Sequence, residues 1–360
     1  MGAATICGKL IPPRGDGNPI ALAPGQRILF YLFRFLFLFA ASWPSCGFAA
    51  PGISPGDSLH TFTSSLYAIT SIGQKTLFAV GESGTIVYTR DAGAHWLASG
   101  SMSGVASDRF AIAFADTLHG YAVGRVGAFT KSADGGKKWK PAKSPTKQSM
   151  SGIFFVDSST GWIVGFDGLI LKTADGGATW KEQKSGTKRP LSSVFFVNPS
   201  DGFAVGGGGT ILRTRNGGTS WETVSSGVTN FLYSVSCANK TTGWVVGGYG
   251  SVLKTTDGGA TWERQNVLPG TRVFQTATYL YAADFRYAPC GIIVGSEGAI
   301  LRTLSGGEQI DRLEVPTSDV LRGLRFVDAK RGWAVGGEGS ILFTADGGEH
   351  WSIQSNIQFP

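Results

Sequence analysis

Two kinds of side chain in this sequence have the type and spacing for chemistry: carboxylates that recur at a fixed interval, and cations scattered between them. A short polar residue followed at the second position by glycine returns at Asp91, Asp134, Asp175, Asn216, Asp257, Ser305 and Asp346. Recurring carboxylates suggest calcium first, but one per turn falls well short of the roughly six to eight oxygen ligands that Ca²⁺ takes. A glycosidase needs two facing carboxylates, and Asp167, Glu297 and Glu338 are the acids whose positions in the repeat correspond. The four histidines, His60, His95, His119 and His350, lack metal-ligand spacing. Gly206–Gly209 has no following Lys-Ser/Thr to make it a phosphate loop, and no serine sits in a nucleophile elbow. No cofactor or metal site is implied.

The recurring aspartates have a mechanical reading instead. A short carboxylate accepts hydrogen bonds from the N–H groups of the turn that follows it. Glycine supplies the left-handed dihedrals of such a turn. Five residues after six of these seven positions stands a tryptophan, at Trp96, Trp139, Trp180, Trp221, Trp262 and Trp351. Each would bury a large apolar face and leave an indole N–H to find a partner. These Asp-box residues are therefore expected to be structural.

The elements that hold them repeat seven times. TGWIVGFDGLILKTADGGATW, TGWVVGGYGSVLKTTDGGATW and RGWAVGGEGSILFTADGGEHW are the clearest copies, ending at Trp180, Trp262 and Trp351. Steps between successive acidic positions are 43, 41, 41, 41, 48 and 41 residues. A period near 40 with several short strands per unit predicts propeller blades. Each unit reads as four strands, with a first apolar strand such as 192–197 lining a central channel. The fold class expected is all-β: a seven-bladed β-propeller of four-stranded blades with Asp-box turns, over 65–360. The sixth copy is degenerate, with Ser305 for the aspartate and Ile310 for the tryptophan, and the step into it is enlarged around 267–277. Drift explains that, or a use acquired by the loop. Residues 50–64 form a linker or closing segment, and 57–64 are a candidate edge strand beside the C-terminus.

Alternate connections in such a blade emerge on opposite faces. The Asp-box turns share one face with the first-to-second-strand turns. The Val-Gly-x-x-Gly hairpins share the other with the connections between blades. That second face collects Arg125, Lys143, Lys147, Lys184, Lys188, Arg189, Arg264 and Arg272, with Asp167, Tyr249, Glu297 and Glu338 at the hairpin tips. A basic sector of this kind can steer an acidic partner, and Arg189 and Arg272 can grip a carboxylate with both arms of a planar guanidinium.

Glycine is abundant, at 53 of 360 residues, which suits short strands and tight turns. The formal net charge is +7, of which Lys9, Arg14, Arg27 and Arg34 against Asp16 supply +3 before residue 50, leaving +4. That is no nucleic-acid signature. The apolar run 28–43 is shorter than a membrane span of about 20 residues and contains Arg34, and Gly47-Phe48-Ala49 follows it. Residues 1–49 read as a signal peptide with a long N-terminal extension; an uncleaved anchor is the alternative. Cys7 and Cys46 fall in this leader. Cys237 and Cys290 remain, either as a disulfide or as two buried thiols.

The run GWxVGxxGxILxTxDGGxxW, repeated over some 290 residues behind a signal peptide, resembles the photosystem II stability/assembly factor family. That resemblance implies a lumenal or periplasmic seven-bladed propeller without enzyme activity. It also implies an arginine-rich face that holds a newly made membrane-protein subunit, so the partner expected is a protein, a membrane subunit or envelope complex. The sixth blade departs from the family's pattern. Asp-boxes also occur in sialidases, so a carbohydrate-active propeller, hydrolase or lectin, is the alternative. The early Arg-Ile-Pro of sialidases is absent, and Lys188-Arg189-Pro190 and Phe285-Arg286-Tyr287 are fragments that do not fit it.

Overall fold

The computed structural model describes residues 62–99, 107–265, 278–354 and 357–358. The leader and its apolar run, residues 50–61, Arg272 and the loop 267–277 lie outside the described residues. Seven antiparallel sheets follow one another along the chain, each with four strands in sequence order. Their inner strands are Leu66–Ile72, Arg109–Phe114, Met150–Phe155, Leu191–Phe196, Leu232–Cys237, Leu280–Asp284 and Leu321–Phe326. Inner strands of neighbouring blades touch all round the ring, the first against the seventh included. The molecule is the seven-bladed β-propeller expected. Blade six, degenerate in sequence, is complete in structure, because Ile310 is fully buried against Trp244 and Phe285 where other blades place tryptophan.

The ring closes with a strand that the repeat pattern does not reveal. Ile357–Gln358 pairs in parallel with Trp96–Leu97 on the outer edge of blade one. Gln354 ties the same seam, accepting from the indole N–H of both Trp96 (3.2 Å) and Trp333 (3.0 Å). Residues 62–65 form no strand; Phe62 instead packs into the core shared by blades one and seven. Cys237 is a free, buried thiol, pushed up to about 12 by burial, so it does not pair with Cys290.

The turn after each third strand is built from two side chains. In blade three the Thr173 hydroxyl donates to Asp175 Oδ1 (2.7 Å) and accepts the N–H of Gly177 (2.8 Å). Asp175 Oδ1 then accepts the N–H of Thr179 (2.8 Å), and Oδ2 accepts the Thr179 hydroxyl (2.6 Å). Thr89, Ser132, Thr214, Thr255, Thr303 and Thr344 play the same part in the other blades. His95 and His350 replace Thr179, each placing Nδ1 2.7 Å from its aspartate. In blade six Ser305 Oγ still accepts the N–H of Gln309 (2.8 Å). A hydroxyl is enough to hold the turn.

Each turn also docks on the preceding blade. The second-strand residues Phe78, Tyr121, Trp162, Phe203, Trp244, Ile292 and Trp333 are all 5% exposed or less. Gly177 shows why the turn must be bare at this point: its φ is +89°, and a Cβ there would lie 2.6 Å from Tyr121 Cζ. Third-strand cations latch the same junction, with Lys131 Nζ donating to Gly177 O (2.6 Å), Lys172 Nζ to Gly217 O (2.9 Å) and Arg213 to Gly258 O (3.2 Å). Trp180 packs edge-on against Tyr121 and Phe155. The indole N–H groups of Trp96, Trp221 and Trp351 find acceptors, whereas those of Trp139, Trp180 and Trp262 are buried without a partner among the described residues.

Gly177→Ala combines a left-handed backbone with a clash against a packed ring, so its expected cost is about 2–4 kcal/mol. Gly186→Ala, at φ +76° with nothing within 4 Å of the added Cβ, should cost only about 1–2 kcal/mol. Denaturant unfolding of both variants checks this, and equal losses would mean that the seam tolerates a methyl group. The turns also predict acid sensitivity. The His95 N–H and the Thr89 hydroxyl hold Asp91 down at about 2. Burial opposes the same effect at Asp346, but the His350 and Thr344 hydrogen bonds outweigh it and hold the group at about 2. Asp175 and Asp257 are lowered by their Thr179 and Thr261 bonds. Depressed carboxylates stabilise fully above the unfolded value of about 4 and stop doing so as pH falls through the folded value. The melting temperature should therefore be level from about pH 7 to 5 and fall steeply from about 4 towards 2. Asp175→Asn should flatten part of that fall.

Candidate functional site

The two faces differ in chemistry. On one, each aspartate turn is hydrogen-bonded to the first-to-second-strand turn of its own blade, as in Gly176 N to Ser159 O (2.8 Å). On the other, the second-to-third-strand hairpins of blades two, four, five and six are bonded to the connection leading into the next blade, as in Gly127 N to Gln148 O (3.0 Å) and Gly209 N to Asn230 O (2.7 Å). The latter is the connector face.

Six of the eight cations read from the sequence stand on these connector-face loops. Arg125 lies in the hairpin of blade two, with its guanidinium 3.7 Å from Asp108. Lys143 and Lys147 are exposed on the connection from blade two to three. Lys184, Lys188 and Arg189 are exposed on the next connection, and Arg189 donates to Gly208 O (2.9 Å) at the hairpin of blade four. Arg264 belongs instead to the outermost strand of blade five, Glu263–Arg264. The connections after blades two and three thus carry a basic sector with few acids near it.

The hairpin tips share one unusual conformation. Val126, Asp167, Tyr249, Glu297 and Glu338 all have φ between +49° and +54°, where side chains other than glycine are strained. The rigid hairpin therefore holds its tip residue outward, and Val126 and Tyr249 are 72% and 56% exposed. Asp167 accepts only a long bond from Gln148 (3.5 Å). No hydrogen bond or ion pair joins Asp167, Glu297 and Glu338 to one another among the described residues.

An aromatic cluster on the same face is the part that sequence reasoning missed. The second residues of the inner strands are Tyr67, Phe110, Ser151, Ser192, Tyr233, Tyr281 and Arg322. They sit at the connector-face end of the channel. Tyr281 lies 5.0 Å from Tyr233 and 6.2 Å from Tyr279, which in turn reaches the tip residue Tyr249 at 5.9 Å. Arg322 lies over Tyr281 (4.9 Å) and Tyr67 (5.6 Å), bridging blades six, seven and one. Burial, with Glu82 adjacent, pushes Tyr67 up to about 12, and its hydroxyl donates to Glu82 (3.2 Å). The available signal was the Leu-Tyr pair at 66–67, 232–233 and 280–281, which falls at one position of the repeat. Stacked tyrosines beside a guanidinium form a platform suited to an apolar or aromatic group with polar edges. Among the described residues no group of three or more His, Cys, Asp or Glu side chains could hold a metal ion.

Comparison with known proteins agrees with this architecture. The profile of one family, described as photosynthesis system II assembly factor YCF48, matches residues 102–190, 132–227, 185–278 and 219–316. No curated protein matches the chain by sequence. A solved structure described as YCF48 bound to D1 peptide is 19% identical, with 80% of this chain and 94% of that chain covered and a TM-score of 0.65. YCF48 from Cyanidioschyzon merolae is 18% identical, with coverage of 80% and 96% and a TM-score of 0.63. The GH74 xyloglucanase from Xanthomonas campestris is 13% identical over 82% of this chain and 55% of its own, with a TM-score of 0.67. At such identities the structures show the fold alone. The family matches overlap from residue 102 to 316, more than half of the sequence, and on that ground the chain belongs to the photosynthesis system II assembly factor YCF48 family.

Proposed function

We propose that this propeller is a non-catalytic scaffold that binds another protein on its connector face. The observation that carries the reading is the division of that face into two sectors. Arg125, Lys143, Lys147, Lys184, Lys188 and Arg189 crowd blades two to four, while Tyr233, Tyr249, Tyr279, Tyr281 and Arg322 cluster on blades five to seven. Exposed cations steer and orient an acidic segment. Tyrosine and arginine are the side chains that most often anchor protein interfaces. A partner segment with acidic residues at one end and an apolar anchor at the other fits both. The structure described as YCF48 bound to D1 peptide supports a protein ligand for the family. The partner we infer is a membrane-protein subunit or envelope complex, met in the periplasm, or in the thylakoid lumen of a photosynthetic cell, after export by the leader.

The tyrosine platform and the GH74 neighbour favour one second reading, a carbohydrate-binding propeller, since sugar faces stack on aromatic rings. Affinity capture from solubilised envelope membranes separates the two. Wild type should retain one membrane protein that Arg125→Ala/Lys147→Ala/Lys188→Ala/Arg189→Ala loses, with binding about tenfold weaker or more and sensitive to salt. Tyr233→Ala/Tyr281→Ala should weaken capture without changing the salt dependence. Capture indifferent to both variants would overturn the reading. Glycan binding that depends on the tyrosines alone would replace it with the second.

A further inference from the structure

The opposite end of the channel holds a second constellation, independent of the connector face. The fifth residue of each inner strand points to one level of the ring. Blades three and four place Phe154 and Phe195 there, with their rings 5.0 Å apart. Blades one, two and five place small residues, and blades six and seven place Asp284 and Arg325. These residues line a cavity of about 400 Å³. One wall is aromatic and the facing wall is charged.

The charges do not cancel. Asp284 is buried and fully engaged. Its Oδ1 accepts from Arg286 Nε (2.9 Å), and its Oδ2 accepts from a second Arg286 nitrogen and from the N–H of Phe326 on the next blade (3.0 Å). Arg286 also donates to Phe326 O (3.1 Å). Arg325 is left over. Its hydrogen bond runs from Nε to Ser71 Oγ of blade one (3.0 Å), and no ion pair joins it to a carboxylate among the described residues. Burial, and then the charge of Arg286, push it down to about 10, so it stays protonated at neutral pH. Asp284 attracts this cation, but its oxygens are taken up by Arg286 and Phe326, and the guanidinium, anchored through Nε, has its other nitrogens available to grip a second carboxylate.

We propose that this end of the channel binds a carboxylate carried on an apolar body, with Arg325 holding the carboxylate and Phe154 and Phe195 covering the body. A chain terminus and a small aromatic acid share that chemistry. Phenylacetate and a short peptide ending in phenylalanine with a free carboxylate are suitable probes, each paired with its amide, in calorimetric titrations of the intact protein. The acids should bind saturably and the amides about tenfold to a hundredfold more weakly. Arg325→Met should abolish the distinction, while Lys140→Ala on the exposed outer strand of blade two leaves it intact. Where Arg325→Met melts early, Arg325→Lys serves, because a point charge keeps the preference for acid over amide but loses the two-armed grip. Tighter binding of the peptide acid identifies a chain terminus, and tighter binding of phenylacetate a small acid. Equal affinity for acid and amide, unchanged binding in the Arg325→Met variant, or no saturable binding of either acid would overturn the assignment.

Discussion

The contact between one blade's second strand and the next blade's turn governs this molecule. A propeller blade buries little by itself, and its stability comes from the seam it shares with each neighbour. Here that seam has a recurring composition: a large second-strand side chain below, a bare glycine above it and, from blades two, three and four, a third-strand cation latched to a carbonyl of the turn. The glycine reaches the ring only because the turn is rigid, and the hydroxyl–carboxylate pair makes it so. The strict spacing of the repeats is the sequence expression of this geometric demand.

That demand also explains what could be read without coordinates. Asp175, Gly177 and Trp180 recur in most blades because the seam needs the bonds and packing they supply, so fold and blade number follow from the period. The hydroxyl two residues before each aspartate is just as regular, but threonine is common in strands and drew no notice until its bonds to the turn were seen. Closure escaped for a different reason. Ile357–Gln358 is too short for a pattern, and its pairing with Trp96–Leu97 is a contact between the two ends of the ring. The tyrosine cluster escaped because its members are far apart in sequence and each replaces an ordinary residue of an inner strand.

Departures from the repeat therefore carry more functional information than the repeat. At the second position of the inner strand, blades three and four have serine whereas blades five, six and one have tyrosine. At the fifth position, five blades have apolar or small residues whereas six and seven have a buried acid and an arginine. Both positions face the channel, although Asp284 and Arg325 also bond to the next blade through the Phe326 N–H and Ser71 Oγ. A half-buried arginine that shares its one nearby carboxylate with a second arginine costs stability that leucine or phenylalanine would not. Such a cost at a channel-facing position, where most blades place apolar or small residues, points to use. The degenerate turn of blade six, by contrast, costs little, since Ser305 and Ile310 restore the bonds and the packing that it lacks.

The two ends of the channel are chemically distinct, and the scaffold keeps them so. On the connector face the cations are exposed lysines and arginines that act at a distance and weaken with salt. At the aspartate-turn end the charge is enclosed between strands of four-stranded sheets, where it is poorly screened and acts only on what enters. The first arrangement suits capture of a large, flexible partner, and the second suits recognition of a single group by shape and charge. A ring of seven near-identical blades holds both rigidly, because each blade contributes only one or two side chains to either site. The repeats can thus preserve the seam while individual inner-strand positions vary one at a time, which is how a regular scaffold acquires an irregular surface.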